Sequence, residues 1–246
     1  MVQEGKVRLF NNEIITAKNI IASYKPEYAN RIVLAAHWDS RPFADHDPDK
    51  NNHNKPIDGA NDGASGVGVL LEIARLSKIM PPEIGFDIIL FDVEDYGTPQ
   101  DMQTDKEETW CLGSQYWSKN PHKKNYFARY GILLDMVGAK DAKFPKEYFS
   151  KQYASDIVRK VWNKAAQLGY SNYFIDKDGP AITDDHIYMN RIAQIPTIDI
   201  VHLESGGDNV FFEHWHTLKD NMDNIDRNTL KAVGQTVTEV LYNEPY

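Results

Sequence analysis

One cysteine, Cys111, in 246 residues rules out an internal disulfide framework and any paired-cysteine zinc or redox motif, so a metal would have to rest on histidines and carboxylates. Long apolar runs are lacking too. IVLAA at 32–36 and DIILF at 87–91 fall far short of the ~20 residues a membrane helix needs, and no signal-like stretch follows Met1. Positive charge is scarce: 27 Lys and Arg stand against 36 Asp and Glu, a net charge of −9 with no basic stripe. That balance argues against nucleic acid and against membrane insertion or anionic membrane surfaces, and points to small molecules, metals or peptides as partners. Internal repeats, low-complexity tracts and linkers are absent as well. What is present, 41% hydrophobic and 26% charged residues, is the composition of one globular domain over 1–246, able to bury ~70–75% of its unfolded surface without covalent staples.

RIVLAAH at 31–37, FDIILFDV at 86–93, YGILLDM at 130–136 and IPTIDIV at 195–201 are nearly continuous apolar runs, the pattern of strands buried on both faces. EIITAKNIIASY at 13–24 alternates around Ala17-Lys18-Asn19 and reads as two short strands or one bent one. Helical spacing appears at 65–78, at 155–169 before Gly169, and from Asp226, a candidate cap, through Leu230, Val233, Val237 and Leu241. Alternating strands and helices predict a three-layer α/β/α sandwich around a central mixed, mostly parallel β-sheet. The polar loops at 38–62, 95–112, 138–150 and 202–222 each begin where a strand ends, and open α/β sheets build their sites there.

Acids and histidines stand where the apolar runs give out. His37 and Asp39 end the first, Glu94 and Asp95 the second, and Asp135 the third; Asp62 sits in GANDGASG before a helix and His216 in EHWHT. His37 and Asp39, two apart, share a face of an extended segment, so Asp39 could hold the second imidazole nitrogen. Asp62 reads either as a helix cap or as a ligand on a turn that lets backbone approach closely. Adjacent Glu94 and Asp95 repel one another beside a dry sheet unless a cation neutralises one, which would leave the other free as a base. Asp45, Asp47 and Asp49 have calcium-loop spacing, but Lys50 and Pro56 occupy the positions that need Gly and Glu. GASGVG at 63–68 is neither a dinucleotide fingerprint nor a nucleophile elbow around Ser65.

With AAHWDSRPFAD, PIDGANDGASGVGVLLEIAR, ILFDVEDYG, GILLDMVGAKDAKF, ITDDH and EHWHTLKDNMDNID in view, the chain resembles the zinc aminopeptidase superfamily and, within it, the bacterial relatives of animal glutaminyl-peptide cyclotransferases. The segments span about 19–230; TDDH, WHT and the long loop after Asp95 tilt toward the cyclases. The resemblance implies that Asp62, Asp95 and His216 bind one zinc and that Glu94 is the acid/base. It further implies that Asp135 and Asp184 form an acid network with Glu94, and that Trp215 and, less directly, Trp110 wall the substrate pocket. Asp95 stands where most of the superfamily has a longer Glu, so its backbone must approach the metal more closely. The resemblance also implies a helical segment ahead of the first strands; here the chain begins almost at those strands, so either the sequence is truncated or its N-terminal packing differs. An exported, cell-envelope protein is expected on the same ground; a monomer is expected as well.

Two carboxylates and one imidazole leave a tetrahedral zinc one open position, as in catalytic sites. The implied activity is conversion of N-terminal glutamine on peptides or proteins to pyroglutamate with release of ammonia. The alternative is an aminopeptidase with two zincs, His37 and Asp135 completing a second site, Asp62 bridging and Glu94 activating water. The spacing permits both.

Overall fold

The apolar runs are strands buried along their whole length in the computed structural model, which describes residues 1–104, 108–204 and 210–245. In chain order the elements are β1 (Val2–Arg8), β2 (Ile14–Tyr24), β3 (Arg31–His37), α1 (Ala64–Ile79), β4 (Gly85–Phe91), α2 (Leu112–Lys119), β5 (Gly131–Asp135), β6 (Phe144–Lys146), α3 (Tyr148–Gln167), β7 (Phe174–Asp178), α4 (Asp185–Arg191), β8 (Thr197–Val201) and α5 (Arg227–Tyr242). The main sheet has the order β1-β2-β4-β3-β5-β8. β4, β3, β5 and β8 run parallel, while β2 is antiparallel to β4 and β1 to β2. β6 and β7 form a separate parallel pair.

Alternation along β3 shows how the layers are filled. Ile32, Leu34 and Ala36 join a cluster with Val69, Leu70 and Ile73 of α1, Val158 and Val161 of α3, and Val233 and Val237 of α5. Val33 and Ala35 face the other way, toward Trp117 of α2 and Met189 of α4. The sheet is therefore covered on both sides, as its continuous hydrophobicity requires, and the three-layer sandwich is the fold.

Residues 13–24 hold one strand of eleven residues, the single-strand reading of the two left open, because Lys18 and Asn19 stay in register with β1. Several elements differ from the sequence reading. β1 itself gave no signal: only Gly5 and Val7 are buried in it. The helix expected over 155–169 begins at Tyr148, passes a non-helical Ala154 (φ −146°, ψ 47°) and is capped by Glu147, whose carboxylate accepts the N–H of Phe149 and Ser150. The loop expected at 138–150 thus contains β6 and the first residues of α3. Within the loops at 95–112 and 202–222, residues 105–107 and 205–209 lie outside the described residues. Asp226 caps α5 by accepting the N–H of Asn228.

Connections place the functional loops. From β3 the chain crosses through α1 to β4 on one side, then through α2 to β5 on the other, so the C-terminal end of β3 lies where the winding reverses, the usual crevice of an open α/β sheet. α1 begins hard against it. Gly63 has φ +91° and a side chain there would meet the Asp39 carbonyl oxygen at 2.8 Å, while a Cβ on Gly66 would sit 2.4 Å from that of Leu134. Only glycine permits this approach.

Candidate metal and acid site

Asp62 follows from that close start of α1. The helix is capped by Gly63 with no side-chain hydrogen bond, so the Asp62 carboxylate is free of capping and turns into the crevice. One oxygen lies 3.0 Å from His37 Nε2 and the other 3.6 Å from His216 Nε2. Its backbone is clasped from far along the chain, where the Asp220 carboxylate accepts the N–H of Asn61 and Asp62 at 2.8 and 3.0 Å. Asn61 and Ser65 in turn accept the N–H of Gly138 and Val137 just beyond β5.

Glu94 and Asp95 are set by Asp39. Its two carboxylate oxygens accept the backbone N–H of Glu94 and Asp95 at 3.1 and 3.0 Å, following a left-handed Val93 at φ 55°. This differs from the expected contact. The group within hydrogen-bond distance of His37 Nδ1 is the Asp39 backbone carbonyl at 3.1 Å, with the nearest Asp39 carboxylate oxygen at 3.7 Å, because those oxygens are engaged by the next strand's end. Asp95 reaches His216, Oδ1 to Nε2 3.0 Å, and its buried Oδ2 has no hydrogen-bond partner among the described residues. The Cys111 thiol donates to Glu94 Oε1 at 3.0 Å, and Asp184 lies against the same pair, one polar atom of each being within 4.8 Å of the others.

His216 is also left-handed, φ 55°. Its Nδ1 faces Asp45 at 3.6 Å, while Arg41 donates to both oxygens of Asp45 at 2.9 and 2.6 Å. Burial alone would raise Asp45, but the guanidinium of Arg41 holds it well below the usual carboxylate range, so it remains an anion behind the imidazole. Trp215 stacks on the His216 ring at 3.6 Å and Trp110 lies parallel at 5.8 Å. Asp135 bonds to His37 Nε2 at 3.2 Å.

Of the ten residues singled out in the sequence, Asp62, Glu94, Asp95, Trp110, Asp135, Asp184, Trp215 and His216 line one cavity of about 340 Å³. His37 and Asp39 sit immediately behind it. Asp45, Cys111 and Asp220 escaped the sequence reading. Asp45 was weighed only as part of a calcium loop, whereas in the fold Asp45, Asp47 and Asp49 engage separate groups: Arg41, the Asp49 and Leu218 amides, and Asn51. No local pattern marks the other two, since each acts on a segment far away in sequence.

The donor set suits a divalent cation. One donor atom each of Asp62, Asp95 and His216 lie within 4.8 Å of one another, all buried. Burial and the charge of Asp95 push Asp62 up to about 8, the signature of carboxylates crowded without a positive charge to balance them. Burial, with Asp95, Asp184 and Asp185 close by, also raises Glu94 well above its ordinary range against the pull of His37. Two acids and one imidazole are zinc-type ligands. His37, Asp62 and Asp135 form a second such trio sharing Asp62.

The chain is similar to known proteins along most of its length. The sequence model of peptidase family M28 matches residues 19–241. A glutaminyl-peptide cyclotransferase of Bos taurus is 28% identical over 86% of this chain and 62% of its own length. The chain spans about half to three fifths of the length of the first curated relatives it matches, 46% of an aminopeptidase of Bacillus subtilis and 62% of the bovine cyclotransferase. Among solved structures, a Zn-dependent exopeptidase from Parabacteroides distasonis superposes with a TM-score of 0.98 at 54% identity, covering 99% of this chain and 84% of that one. The glutaminyl cyclase of Bacteroides thetaiotaomicron bound to N-acetylhistamine gives 0.97 at 56%, covering 100% and 84%.

Proposed function

Because the chain belongs to peptidase family M28, whose match covers most of its length, we propose that it is a zinc-dependent glutaminyl-peptide cyclotransferase acting on peptides and proteins that begin with glutamine. The observation that carries this reading is Glu94, a buried acid beside a three-donor cation site and on the wall of a small, largely apolar pocket. The glutaminyl cyclase that superposes at a TM-score of 0.97 supports it.

Asp62, Asp95 and His216 would hold one zinc, which when bound supplies a Lewis acid for the γ-amide oxygen. The reaction closes a ring. The substrate's α-amine attacks its own γ-amide carbon, the new C–N bond forms, the bond to the amide nitrogen breaks, and ammonia leaves. One proton must depart from the attacking amine and one must reach the leaving nitrogen. Glu94 can do both in turn, accepting the first and donating it again, because its raised proton affinity brings it toward that of the groups it serves. Asp184 lies beside it to tune that exchange. Asp39 fixes its backbone and Cys111 one of its oxygens. Trp215, Phe211 and Ile182 form apolar wall, which would keep the glutamine side chain folded on its amine and exclude water that would otherwise hydrolyse the amide.

His37 favours one metal over two. Its Nε2 lies within hydrogen-bond distance of both Asp62 and Asp135, so the imidazole stands between the acids a second cation would need. Burial would lower His37, but Asp135, Asp39 and Asp62 outweigh it and hold the ring well above its ordinary value. The same trio is what an aminopeptidase would use for its second ion, and the superposed exopeptidase keeps that reading as the alternative.

The test is mass spectrometry of a peptide beginning in glutamine after incubation with zinc-loaded protein. Loss of one ammonia from an otherwise intact peptide is expected. Release of the first residue, from peptides beginning in leucine as well, would establish the hydrolase instead. Trp215→Ala, which removes the wall stacked on His216, is expected to raise KM about tenfold, the effect of roughly 1.4 kcal/mol of lost binding, and an unchanged KM would place the glutamine side chain elsewhere.

A further inference from the structure

Behind Asp184, away from the pocket, lies a second group of ionisable side chains that the proposed reaction does not use. Asp199 projects from the middle of β8 and is fully buried. Among the described residues neither of its oxygens has a hydrogen-bond partner, and the same holds for Asp184 Oδ2 and both ring nitrogens of His186. The polar atoms of Asp184, His186 and Asp199 nevertheless lie within 4.8 Å of one another. On the far side Glu147, also fully buried, stands 3.3 Å from His186 Nε2, and His186 Nδ1 faces Asp199 at 3.8 Å.

Charge counting narrows what this group can be. Glu147 accepts the N–H of Phe149, Ser150 and Ile182 and the Ser150 hydroxyl, so it is solvated as an anion by the protein. Asp184 and Asp199 face each other in a buried space, and two carboxylates so placed cannot both ionise. A single proton between them satisfies Asp184 Oδ2 and an oxygen of Asp199 together. Asp184 Oδ1 is already held, accepting the N–H of Asp185. The other ionisable groups nearby are Asp185 on α4, Asp135 at the end of β5, His37 at the end of β3, and Glu94 with Cys111 on the pocket side. The Asp199 backbone is pinned too, its N–H donating to Ser150 Oγ.

We propose that Asp199 is a positioning residue for the acid site: it shares one proton with Asp184, fixing the oxygen that Asp184 turns toward Glu94, and His186 with Glu147 holds Asp199 in place from behind. No bond forms or breaks in this arrangement, and the pair carries one proton throughout. Glu147, Ser150 and His186 thereby connect the start of α3 and the first turn of α4 to the pocket.

The proposal rests on the cyclase reading only for the name of the product. Turnover is followed as ammonia released from a glutamine-initial peptide, or as the first residue released if the wild type hydrolyses, so a failure of that reading is seen in the wild type and a failure of this one in the variants. Asp199→Leu keeps the branching of the side chain without its polar atoms. It is expected to lower kcat about 10²-fold, the cost typical of misplaced catalytic groups, with KM within twofold and zinc content unchanged. Asp199→Asn, whose amide can donate to Asp184 in place of the shared proton, is expected to restore kcat to within about fivefold of wild type. Unchanged kcat in the leucine variant, failure of asparagine to rescue it, or loss of a metal ion with Asp199 would each overturn the proposal, the last by making the cluster a metal site. Should the leucine variant not fold, His186→Gln is read instead, with kcat about tenfold lower and KM unchanged expected and wild-type kcat overturning.

Discussion

Glu94→Gln is expected to retain its zinc and lose about 10²–10⁴-fold in kcat, the range that proton transfer by one positioned group supplies. Glutamine is nearly isosteric and the backbone at residue 94 is held by Asp39, so the pocket keeps its shape. What disappears is a group that can accept the amine's proton and return it to the departing nitrogen. The thiol of Cys111 gives Oε1 its hydrogen bond, and a glutamine side chain can place its carbonyl oxygen there and preserve that contact. A variant with kcat within tenfold of wild type would remove Glu94 from the chemistry. One that also lost zinc would move it into the metal site.

Removing the metal is the second large effect. Chelation is expected to abolish turnover and zinc addition to restore it, because a Lewis acid at the reacting carbonyl is worth several kcal/mol, and about 4 kcal/mol corresponds to about 10³ in rate. Elemental analysis should find about one zinc per chain. His216→Ala should bind no zinc at micromolar concentration and recover no activity on its addition, since its imidazole is the one nitrogen donor of the trio. His37→Ala separates the readings. If one ion is held by Asp62, Asp95 and His216, the metal count stays at one; a fall from two to one would mean that His37 and Asp135 bind a second and that the chain works as an aminopeptidase.

How far the sequence revealed this molecule depended on where each signal originates. β3, β4, β5 and β8 were legible because burial on both faces leaves continuous apolar runs. β1 was not, since it buries only Gly5 and Val7. Nor was α2, a helix of eight residues whose cap position is a left-handed Cys111 with no side-chain hydrogen bond. The start of α3 was hidden by the break at Ala154 and by a Glu in the capping position, where Ser, Thr, Asp or Asn is the usual sign. In the site, residues at strand ends announced themselves, because an acid or histidine directly after an apolar run is conspicuous. Asp45, Asp199 and Asp220 were not conspicuous: Asp45 takes its meaning from His216, Asp199 from His186 and Asp184, and Asp220 from the amides of Asn61 and Asp62. Asp39 was found for a contact its carbonyl makes, while its carboxylate serves Glu94 and Asp95.

The clasp of Asp220 on residues 61 and 62 has a bearing on how the molecule comes into being. Its two ends are 159 and 158 residues apart in the chain, and the His216 carbonyl likewise accepts the N–H of His46. Contacts of such span demand that most of the chain already be in place. As a growing polypeptide emerges, the proposed cation site lacks its one imidazole until the chain extends 121 residues beyond Asp95. Any shorter fragment presents Asp62 and Asp95 without the partner that makes them a binding site. On the proposed ligand set, the capacity to hold metal belongs to the fold that includes residue 216, and a zinc titration would double as a count of the molecules that have reached it.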